Sequence, residues 1–511
     1  MADVSEKRNR EMNKQELKLY YTSDLHGFFY PTTYGDKLDK ELGLFKCCAQ
    51  FERDENTLYL DGGDILQGSA YAYYCKQKVN SSTHIAEIMN AAGCDFYTIG
   101  NHDFNYGIDY LKEYIHNTKG RCVCQNLTDL KGNVLYPYRI KEMPNGLRVG
   151  ITGIVTDYVN VWERPENLIG VHITEAFTAA KTALEEMKEK CDITICIYHG
   201  GFECDLQTGK RVSDNTENAG YRICKELDFD VLLTGHQHMH IPGQYVEGTY
   251  TLQPVENGVE AYAIHICKKE QLNMESMVIQ PSKHKNVELL YAMKRQFIQM
   301  QRDVQKWLEL PIGHLDRDFL PDDRAKMAYE GSDIARLLNQ VQLYYSKAQI
   351  SAVGLANDVA GFCKEVKTRD IIATYPYPNT LVVLEITGAK LKEVMERSAE
   401  YLELMPDRTL QVAQSFLVPK VEHYNYDYYA GVTYVIHPEN EKGNRICNLS
   451  FEGKRVKADD KYTICINNYR ATGAGGYPAY KSCPVVKTIN VEMVEMIMDY
   501  FATFPHVHLE G

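Results

Sequence analysis

The stretch Gly100-Asn101-His102-Asp103-Phe104-Asn105-Tyr106-Gly107 decides how the first half of the chain is expected to fold. Residues 94–99 form a short apolar run typical of a buried strand, and Gly100 lets the backbone turn where that strand ends. Open α/β sheets bind their ligands just past such strand ends. Asn101 offers a neutral oxygen to a metal, and His102 can act as a ligand, an acid or an electrophile. Taken alone, the Asn-His-Asp triplet is explained equally well by turn and capping chemistry.

Four further apolar runs end in the same kind of polar residue. They cover residues 17–22, 58–60, 193–198 and 231–234, and short continuous runs of this type are typical of buried strands. One histidine at a strand end is usually a turn or core residue, but here that explanation would have to hold for every run at once. The set contains enough candidate ligands for two metal ions that share one carboxylate. These candidates are Asp24, His26, Asp64, Asn101, His199, His236 and His238.

The bulk properties of the chain restrict its function. It has 511 residues and a net charge of -13, so it is long enough for two to four domains and has no basic surplus for a nucleic-acid polymer. No run approaches the roughly 18 apolar residues of a membrane helix. Residues 1–11 are charged and lack an apolar segment, so we expect a cytoplasmic protein without a signal peptide. It would be extracytoplasmic only if an export signal preceded this sequence.

The second half of the chain has a different pattern. Residues 283–308 carry apolar side chains at steps of three and four, which predicts an amphipathic helix that connects two domains. Tyrosines then cluster in Tyr424-Asn425-Tyr426-Asp427-Tyr428-Tyr429, and a glycine-rich loop follows Asn467-Asn468-Tyr469-Arg470-Ala471. Exposed aromatic rings beside such a loop can stack a planar base. The alternative is an antiparallel core in which the tyrosines only fill space.

The five strand endings resemble the signature of the calcineurin-like metallophosphoesterases. That signature is D-x-H, G-D-x-x, G-N-H-[DE], H and G-H-x-H, and all five blocks occur here in the expected order. The resemblance implies one metal held by Asp24, His26 and His238. It implies a second metal held by Asn101, His199 and His236, with Asp64 bridging the two.

Together with the second half, the chain resembles the two-domain 5'-nucleotidase family. The Tyr-Pro-Tyr-Pro-Asn-Thr, Tyr-Asn-Tyr-Asp and Asn-Asn-Tyr-Arg-Ala blocks are most similar to its 2',3'-cyclic-nucleotide 2'-phosphodiesterase/3'-nucleotidase branch. The implied fold is α/β, a four-layer αββα metallophosphoesterase sandwich followed by a smaller α+β C-terminal domain. The implied bounds are 16–282 for the metal domain, 283–309 for the connecting helix and 310–508 for the substrate-binding domain.

In that family two aromatic rings of the C-terminal domain sandwich the base. Tyr469 matches one of them, and Tyr426 is our first choice for the other, with Tyr424 as the alternative. Asn357 and the glycine-rich loop with Gly473 and Gly475 would complete the substrate site.

Three departures from the 5'-nucleotidase pattern bear on the substrate. Asn105 stands where many members have an Asp that pairs with the motif histidine. The Asn-Gly-Gly-x-x-Arg phosphate-binding block is replaced by residues 357–362, which contain no Arg, and the glycine-rich loop lacks its Asp. The departures weaken the 5'-monophosphate interpretation, and Asn105 recurs in the cyclic-nucleotide branch.

The chemistry that we infer is metal-assisted hydrolysis of a nucleotide phosphoester. Two divalent ions (Zn, Mn, Fe or Co) would generate a hydroxide that attacks phosphorus in line. His102, in its cationic form, would stabilise the transition state or protonate the leaving alkoxide, with Asp103 or a backbone carbonyl orienting its ring. The alternatives are a phosphoesterase for another phosphate, such as a nucleotide sugar, dinucleotide or phosphoprotein, and a nucleotide-binding metalloprotein without turnover.

Overall fold

The computed structural model describes residues 16–212, 216–269, 271–282, 285–377, 379–418 and 421–509. The charged N-terminal residues 1–11 and Pro378 of the Tyr-Pro-Tyr-Pro block lie outside these ranges. The chain divides into two compact units, one formed by residues up to 33 together with 38–304, and the other by 34–37 together with the chain from 305 onwards. Among the described residues, no helix combines the length and the apolar character needed to cross a bilayer.

Two six-stranded sheets form the centre of the first unit. In the first sheet, Glu16–Thr22, Thr57–Asp61 and Phe96–Tyr97 run parallel to one another, so the polar residues after them emerge at one edge. In spatial order its strands are Leu272–Ile279, Ala261–Lys268, Glu16–Thr22, Thr57–Asp61, Phe96–Tyr97 and Arg121–Cys122. In the second sheet they are Ile241–Val246, Thr249–Gln253, Val231–Thr234, Ile193–His199, Arg148–Val155 and Arg139–Glu142.

The core between the sheets explains why their strands are apolar on both faces. Alternate side chains point to opposite faces of a strand. Ile195 and Ile197 pack into the core shared by the two sheets, whereas Cys196 and Tyr198 between and after them pack under helix Ala176–Met187. This layering of helix, sheet, sheet and helix confirms the expected αββα sandwich.

The helices of the first unit cover the outer faces of the sheets. Helix Thr83–Ala92 buries Ile85, Ile88 and Met89, an apolar stripe at helical spacing. The helices are Leu44–Cys48, Ala70–Tyr74, the π-helix Cys75–Val79, Thr83–Ala92, Ile108–Asn117, Val159–Trp162, Ala176–Met187, Gly220–Glu226, Val287–Gln296 and Ile298–Leu308. A small sheet of Val134–Tyr136, Cys124–Asp129 and Val171–Ile173 completes the unit.

The connecting segment is two helices rather than one. Val287–Gln296 and Ile298–Leu308 are separated at Phe297, whose φ of -108° and ψ of 14° lie outside the helical region. The apolar stripe predicted for this segment is buried, and Trp307 is among its covered side chains.

The second unit is an α+β domain around one mixed sheet. Its core joins strand side chains such as Leu384 and Ile464 with Leu391 and Met395 of helix Gly388–Ala399. The strands of this sheet, in spatial order, are Asp427–Ala430, Ile350–Gly354, Lys461–Asn467, Leu381–Thr387 and Val485–Ile489.

Smaller sheets and seven helices in the described residues surround this sheet. The short strands are Glu365–Lys367, Pro311–Leu315, His506–Val507, Leu402–Leu404, Leu410–Val412, Thr433–Ile436, Ile446–Phe451 and Lys454–Arg455. The helices are Arg324–Glu330, Asp333–Ser346, Thr368–Thr374, Gly388–Ala399, Asn468–Ala471, Pro478–Lys481 and Met493–Thr503.

We predict that Ile197→Ala destabilises the first unit by about 2 to 5 kcal/mol, because it leaves a cavity between the two sheets. Ile197 is 0% exposed, whereas Ile140 in the second sheet is 39% exposed. Ile140→Ala is therefore the matched control and should cost far less. Urea unfolding of the two variants would check this, and equal shifts of the unfolding midpoint would contradict the assigned core.

Candidate metal centre

The predicted ligands converge where the parallel strands of both sheets end. Two groups in the described residues have ligand atoms within 4.8 Å of one another, and both groups contain Asp24. The first adds His26 and His238, and the second adds Asp64 and His199. Side chains from four separate turns therefore come together in these two groups.

Most of these ligands lie in tight turns that force an unusual backbone. Non-glycine residues rarely adopt a positive φ, because their Cβ is then crowded. Five of the seven candidate ligands do so, with φ of 48° to 72°: Asp24, His26, Asp64, His236 and His238. Strained residues of this kind cluster at functional sites.

The first group brings two imidazoles and a carboxylate together. The Nε2 atoms of His26 and His238 lie 3.1 Å apart, and His238 Nε2 lies 3.4 Å from Asp24 Oδ1. His26 Nδ1 lies 3.0 Å from the Gln67 carbonyl, to which it can only donate, so its Nε2 carries the lone pair. The group thus presents donor atoms toward one point.

The second group is built around His199. Its Nε2 lies 3.1 Å from Asn101 Oδ1 and 3.2 Å from Asp64 Oδ2, and its Nδ1 donates to the Gly62 carbonyl at 2.7 Å. Asp64 Oδ2 is buried, and apart from the ion-pair contact with His199 it has no hydrogen-bond partner in the described residues, which leaves this carboxylate oxygen incompletely satisfied. A divalent cation would satisfy this oxygen, and the mixed His, Asp and Asn set suits such an ion. The residues present therefore fit the two metal ions that the sequence predicts.

His236 joins the cluster differently from the other ligands. Its backbone N–H donates to Asp24 Oδ1 at 3.0 Å, and its ring Nε2 lies 2.9 Å from Glu217 Oε1. His236 is in neither compact group, so its place on the second metal remains a prediction.

The electrostatics of the cluster favour binding of positive charge. Burial alone would lower the pKa of His199, but Asp64 and Asp24 outweigh it and raise that pKa to about 10. Burial is likewise outweighed by Asp24 at His238, whose pKa rises to about 9. The pKa of Asp24 falls below its usual value because His199 and His238 overcome its burial. Protonated histidines thus take the place of metal charge in the metal-free chain.

Asp103 has a different role from the one expected of it. Its carboxylate accepts four backbone N–H groups, from Asp64, Ile65, Leu66 and Gly100, at 2.8 to 3.0 Å. A carboxylate occupied in this way fixes the turn after one strand to the turn after the next. The expectation that Asp103 orients the ring of His102 is therefore wrong.

Asn105 is the residue that contacts the His102 ring. Its Nδ2 donates to His102 Nδ1 at 3.0 Å and lies 3.3 Å from Gln67 Oε1. A ring that accepts at Nδ1 carries its proton on Nε2. Burial, together with the nearby His26, lowers the pKa of His102 to about 3 although Asp64 opposes this. His102 is therefore neutral in the metal-free chain, which corrects the expected cation.

Gly100 is required where these contacts meet. A Cβ at this position would collide with the backbone and side chain of Asp64. The His102 N–H in turn donates to Asp64 Oδ1 at 2.7 Å. Because Gly100 has no side chain, the turn that carries His102 can pack directly against the turn that carries Asp64.

The second unit places the expected base-binding tyrosines in different environments. Tyr469 is 42% exposed, and Tyr424 is partly exposed with its ring 6.1 Å from that of Tyr377. Tyr426 is only 2% exposed and its hydroxyl donates to the Ala328 carbonyl at 2.6 Å. The structure therefore does not support Tyr426 as a stacking partner, because its ring belongs to the core.

The remaining predicted substrate residues lie in loops that Arg470 organises. The guanidinium pairs with buried Asp427 at 2.9 Å and donates to the carbonyls of Ala474 and Tyr424. A Cβ at Gly475 would collide with Arg470, whereas Gly473, at a φ of 87°, is less crowded. Asn357 bridges the backbone of residues 421 and 423, with Nδ2 donating to the first and Oδ1 accepting from the second.

Sequence reasoning missed Glu217 and Arg470 as residues that hold the site, and it named Asn105 only as a departure from the family pattern. Arg470 lies within a block that the sequence singled out, so its position was a usable signal. Glu217 lies in no recognised block, and only the fold brings it to His236.

Comparison with known proteins agrees with this architecture. Residues 17–240 match the family model described as calcineurin-like phosphoesterase, and residues 311–482 match that of the 5'-nucleotidase C-terminal domain. A solved structure of a candidate 5'-nucleotidase from Staphylococcus aureus is 31% identical, with a TM-score of 0.71, and the match covers 96% of this chain and 97% of that chain.

Two curated relatives are also similar. The trifunctional nucleotide phosphoesterase protein YfkN of Bacillus subtilis (strain 168) is 26% identical, over 95% of this chain but only 38% of that longer protein. A 2',3'-cyclic-nucleotide 2'-phosphodiesterase/3'-nucleotidase of Yersinia enterocolitica is 26% identical over 89% of this chain and 80% of its own length. On the full-length match and the two domain assignments, this chain belongs to the two-domain 5'-nucleotidase family.

Proposed function

We propose that this chain is a metal-dependent phosphohydrolase of nucleotides, with 2',3'-cyclic nucleotides and 3'-nucleotides as its first candidate substrates. The observation that carries the proposal is the convergence of two buried ligand groups, which share Asp24 and include an Asp64 oxygen that only the His199 ring contacts among the described residues. The name of the Yersinia enterocolitica relative supports this choice of substrate, and so does Asn105, which recurs in the cyclic-nucleotide branch that the sequence resembles.

The residues that would hold the metals divide into two sets. Asp24, His26 and His238 would hold one divalent ion, and Asn101, His199 and His236 the other. Asp64 would serve both ions, and its Oδ1 accepts the His102 N–H, which holds the carboxylate in place. When bound, two such ions would lower the pKa of a water and neutralise charge on the phosphoryl oxygens. Zn, Mn, Fe and Co all accept this ligand set.

His102 is the proposed catalytic hydrogen-bond donor to the reacting phosphoryl group. Asn105 holds its ring so that Nε2 carries the proton, and the ring lies within 5.4 Å of that of His26, measured between centroids. A neutral Nε2–H can donate to a phosphoryl oxygen or to the leaving alkoxide without the cost of burying another cation. Asp103 helps to position His102, because its carboxylate accepts the Gly100 N–H and so fixes the turn that carries His102.

Recognition of the base would fall to the second unit. We assign the stacking rings to Tyr469 and Tyr424, since both are accessible in that unit. Arg470 sets the position of the loops that carry them. Base stacking of this kind contributes about 1 to 3 kcal/mol per base.

We predict that the chain with added divalent metal hydrolyses 2',3'-cyclic and 3'-nucleotides, and that Tyr469→Ala raises the KM for them roughly 10-fold, as loss of one stacking contact implies. The same variant should leave hydrolysis of p-nitrophenyl phosphate or bis-p-nitrophenyl phosphate unchanged, since no base is present. Assays of cyclic, 3'- and 5'-nucleotides under several divalent ions would check this.

Tyr329→Ala is the matched control, because Tyr329 is 48% exposed in the same unit. Faster turnover of a nucleotide sugar, dinucleotide or phosphoprotein than of any nucleotide would contradict the substrate assignment. A lack of phosphate release under every metal would contradict the enzyme itself.

We predict that His102→Ala lowers kcat about 10²- to 10³-fold while both metals stay bound, because a hydrogen-bond donor to the phosphoryl group is lost and the ligands are not. Asn105→Asp should place a carboxylate against Nδ1, stabilise the imidazolium and raise the pKa of His102. The acid limb of the kcat profile should then move to higher pH. Steady-state kinetics with elemental analysis of the bound metal would check both, and an unchanged kcat in His102→Ala would refute the assignment.

We predict that metal loading releases protons at pH 7. His199 and His238 have pKa values of about 10 and 9 in the metal-free chain, so both are protonated at pH 7 and must lose their protons to bind. Affinity should therefore fall as pH falls. Calorimetric titration with Zn²⁺ in buffers of different ionisation enthalpy measures the release, and a buffer-independent heat would count against these protonation states.

A further inference from the structure

The His236 ring is held from two sides by residues outside the seven candidate ligands. Its Nε2 lies 2.9 Å from Glu217 Oε1. The Trp162 ring stacks on the imidazole with 5.5 Å between centroids and 26° between planes. One contact fixes the rotation of the ring in its plane, and the other fixes the plane itself.

The backbone of Glu217 is anchored to the strands that end at the metal centre. Its carbonyl accepts the Thr156 hydroxyl at 2.7 Å and the Tyr198 hydroxyl at 3.4 Å. Thr156 N–H in turn donates to the His199 carbonyl at 2.9 Å. Both Thr156 and Tyr198 are 0% exposed. The strand that carries His199 therefore fixes the backbone position of Glu217, from which the Glu217 carboxylate extends.

The residue after Glu217 strengthens this anchor. Asn218 Oδ1 accepts the Gly201 N–H at 2.6 Å, in a buried contact just past His199. The pair Glu217-Asn218 is thus docked onto the turn that follows a ligand strand, and this docking places the Glu217 side chain beside His236.

Two of the other three candidate ligand histidines follow the same rule with neutral acceptors. His26 and His199 each direct Nδ1 to a backbone carbonyl and leave Nε2 toward the cluster. Metal-binding histidines generally donate their second N–H to a carbonyl or carboxylate, which fixes the tautomer and raises the basicity of the ligand nitrogen. His236 is the case among these three that meets a carboxylate.

We propose that Glu217 is a positioning residue that keeps His236 protonated on Nε2 and presents Nδ1 as the ligand atom for the second metal. The inference rests on the proposed two-metal centre. The His236 and Glu217 side chains are only 13% and 24% exposed, so water screens their interaction incompletely. The negative charge opposite Nε2 makes Nδ1 a stronger donor.

Trp162 allows the inference to be tested without substrate. The chain contains two tryptophans, Trp162 and the buried Trp307. In a Trp307→Phe background, Trp162 is the sole tryptophan and its emission reports the surroundings of His236. Zn²⁺ alone is the probe, titrated by emission and by calorimetry into this background and into its Glu217→Ala and Glu217→Gln derivatives.

We expect Glu217→Ala to weaken only one of the two binding events, about 10- to 100-fold, and that event should be the one which changes Trp162 emission. Glu217→Gln should lose less, because its amide oxygen still accepts the Nε2–H. Wild-type affinity in Glu217→Ala would overturn the inference. An equal loss in both variants would also overturn it, since it would make Glu217 a direct ligand.

Glu439→Ala is the matched control, because Glu439 Oε1 lies 3.0 Å from His437 Nδ1 in the second unit, in a carboxylate–histidine pair outside the cluster. It should leave both binding events unchanged. Metal binding is read without substrate, so a failure to hydrolyse nucleotides and a failure of this effect are separate results.

Discussion

The metal centre depends on how the Asp103 carboxylate is occupied. It accepts backbone N–H groups from two turns that follow neighbouring parallel strands, and so joins residues 64–66 to Gly100. Hydrogen bonds to a charged acceptor are among the stronger ones, and four of them convert two loops into one rigid unit. Burial, with the charge of Asp64 nearby, still raises the pKa of Asp103 to about 6. The stabilisation from the amides thus opposes a real cost of placing two carboxylates together.

The backbone strain at the candidate ligands and the buried negative charge of the cluster are both consistent with a site for divalent cations. A left-handed backbone costs a non-glycine residue roughly 1 to 2 kcal/mol, and five ligands adopt it. The buried carboxylates of Asp24 and Asp64 add an electrostatic cost, which the protonated His199 reduces in the metal-free chain. Divalent ions would relieve that electrostatic cost, and the contacts of the surrounding turns keep the ligands in place before binding.

In the second unit, a buried carboxylate is balanced by a buried guanidinium. Arg470 is buried, pairs with Asp427 and packs 4.1 Å from the Tyr477 ring centre. Breaking such a buried pair leaves an uncompensated charge, which costs about 3 to 5 kcal/mol. The guanidinium also holds the Tyr424 and Ala474 carbonyls, so one side chain fixes the loops around the proposed base site. The tyrosines of this unit therefore divide between two environments, with Tyr426 in the core and Tyr469 at the surface.

The sequence by itself determined the order of the strands' polar endings and the candidate ligands, because these follow from local patterns, and its resemblance to a known family implied the sandwich. An apolar run, a glycine and a polar residue occupy adjacent positions, and parallel strands bring their ends to one edge. Only the tertiary structure decided that Asn105, not Asp103, contacts His102, that Tyr426 is buried, and that Glu217 reaches His236. Each of these depends on the direction of a side chain from a turn, or on a contact between residues distant in sequence. Neither is encoded in the spacing of residue types along the chain.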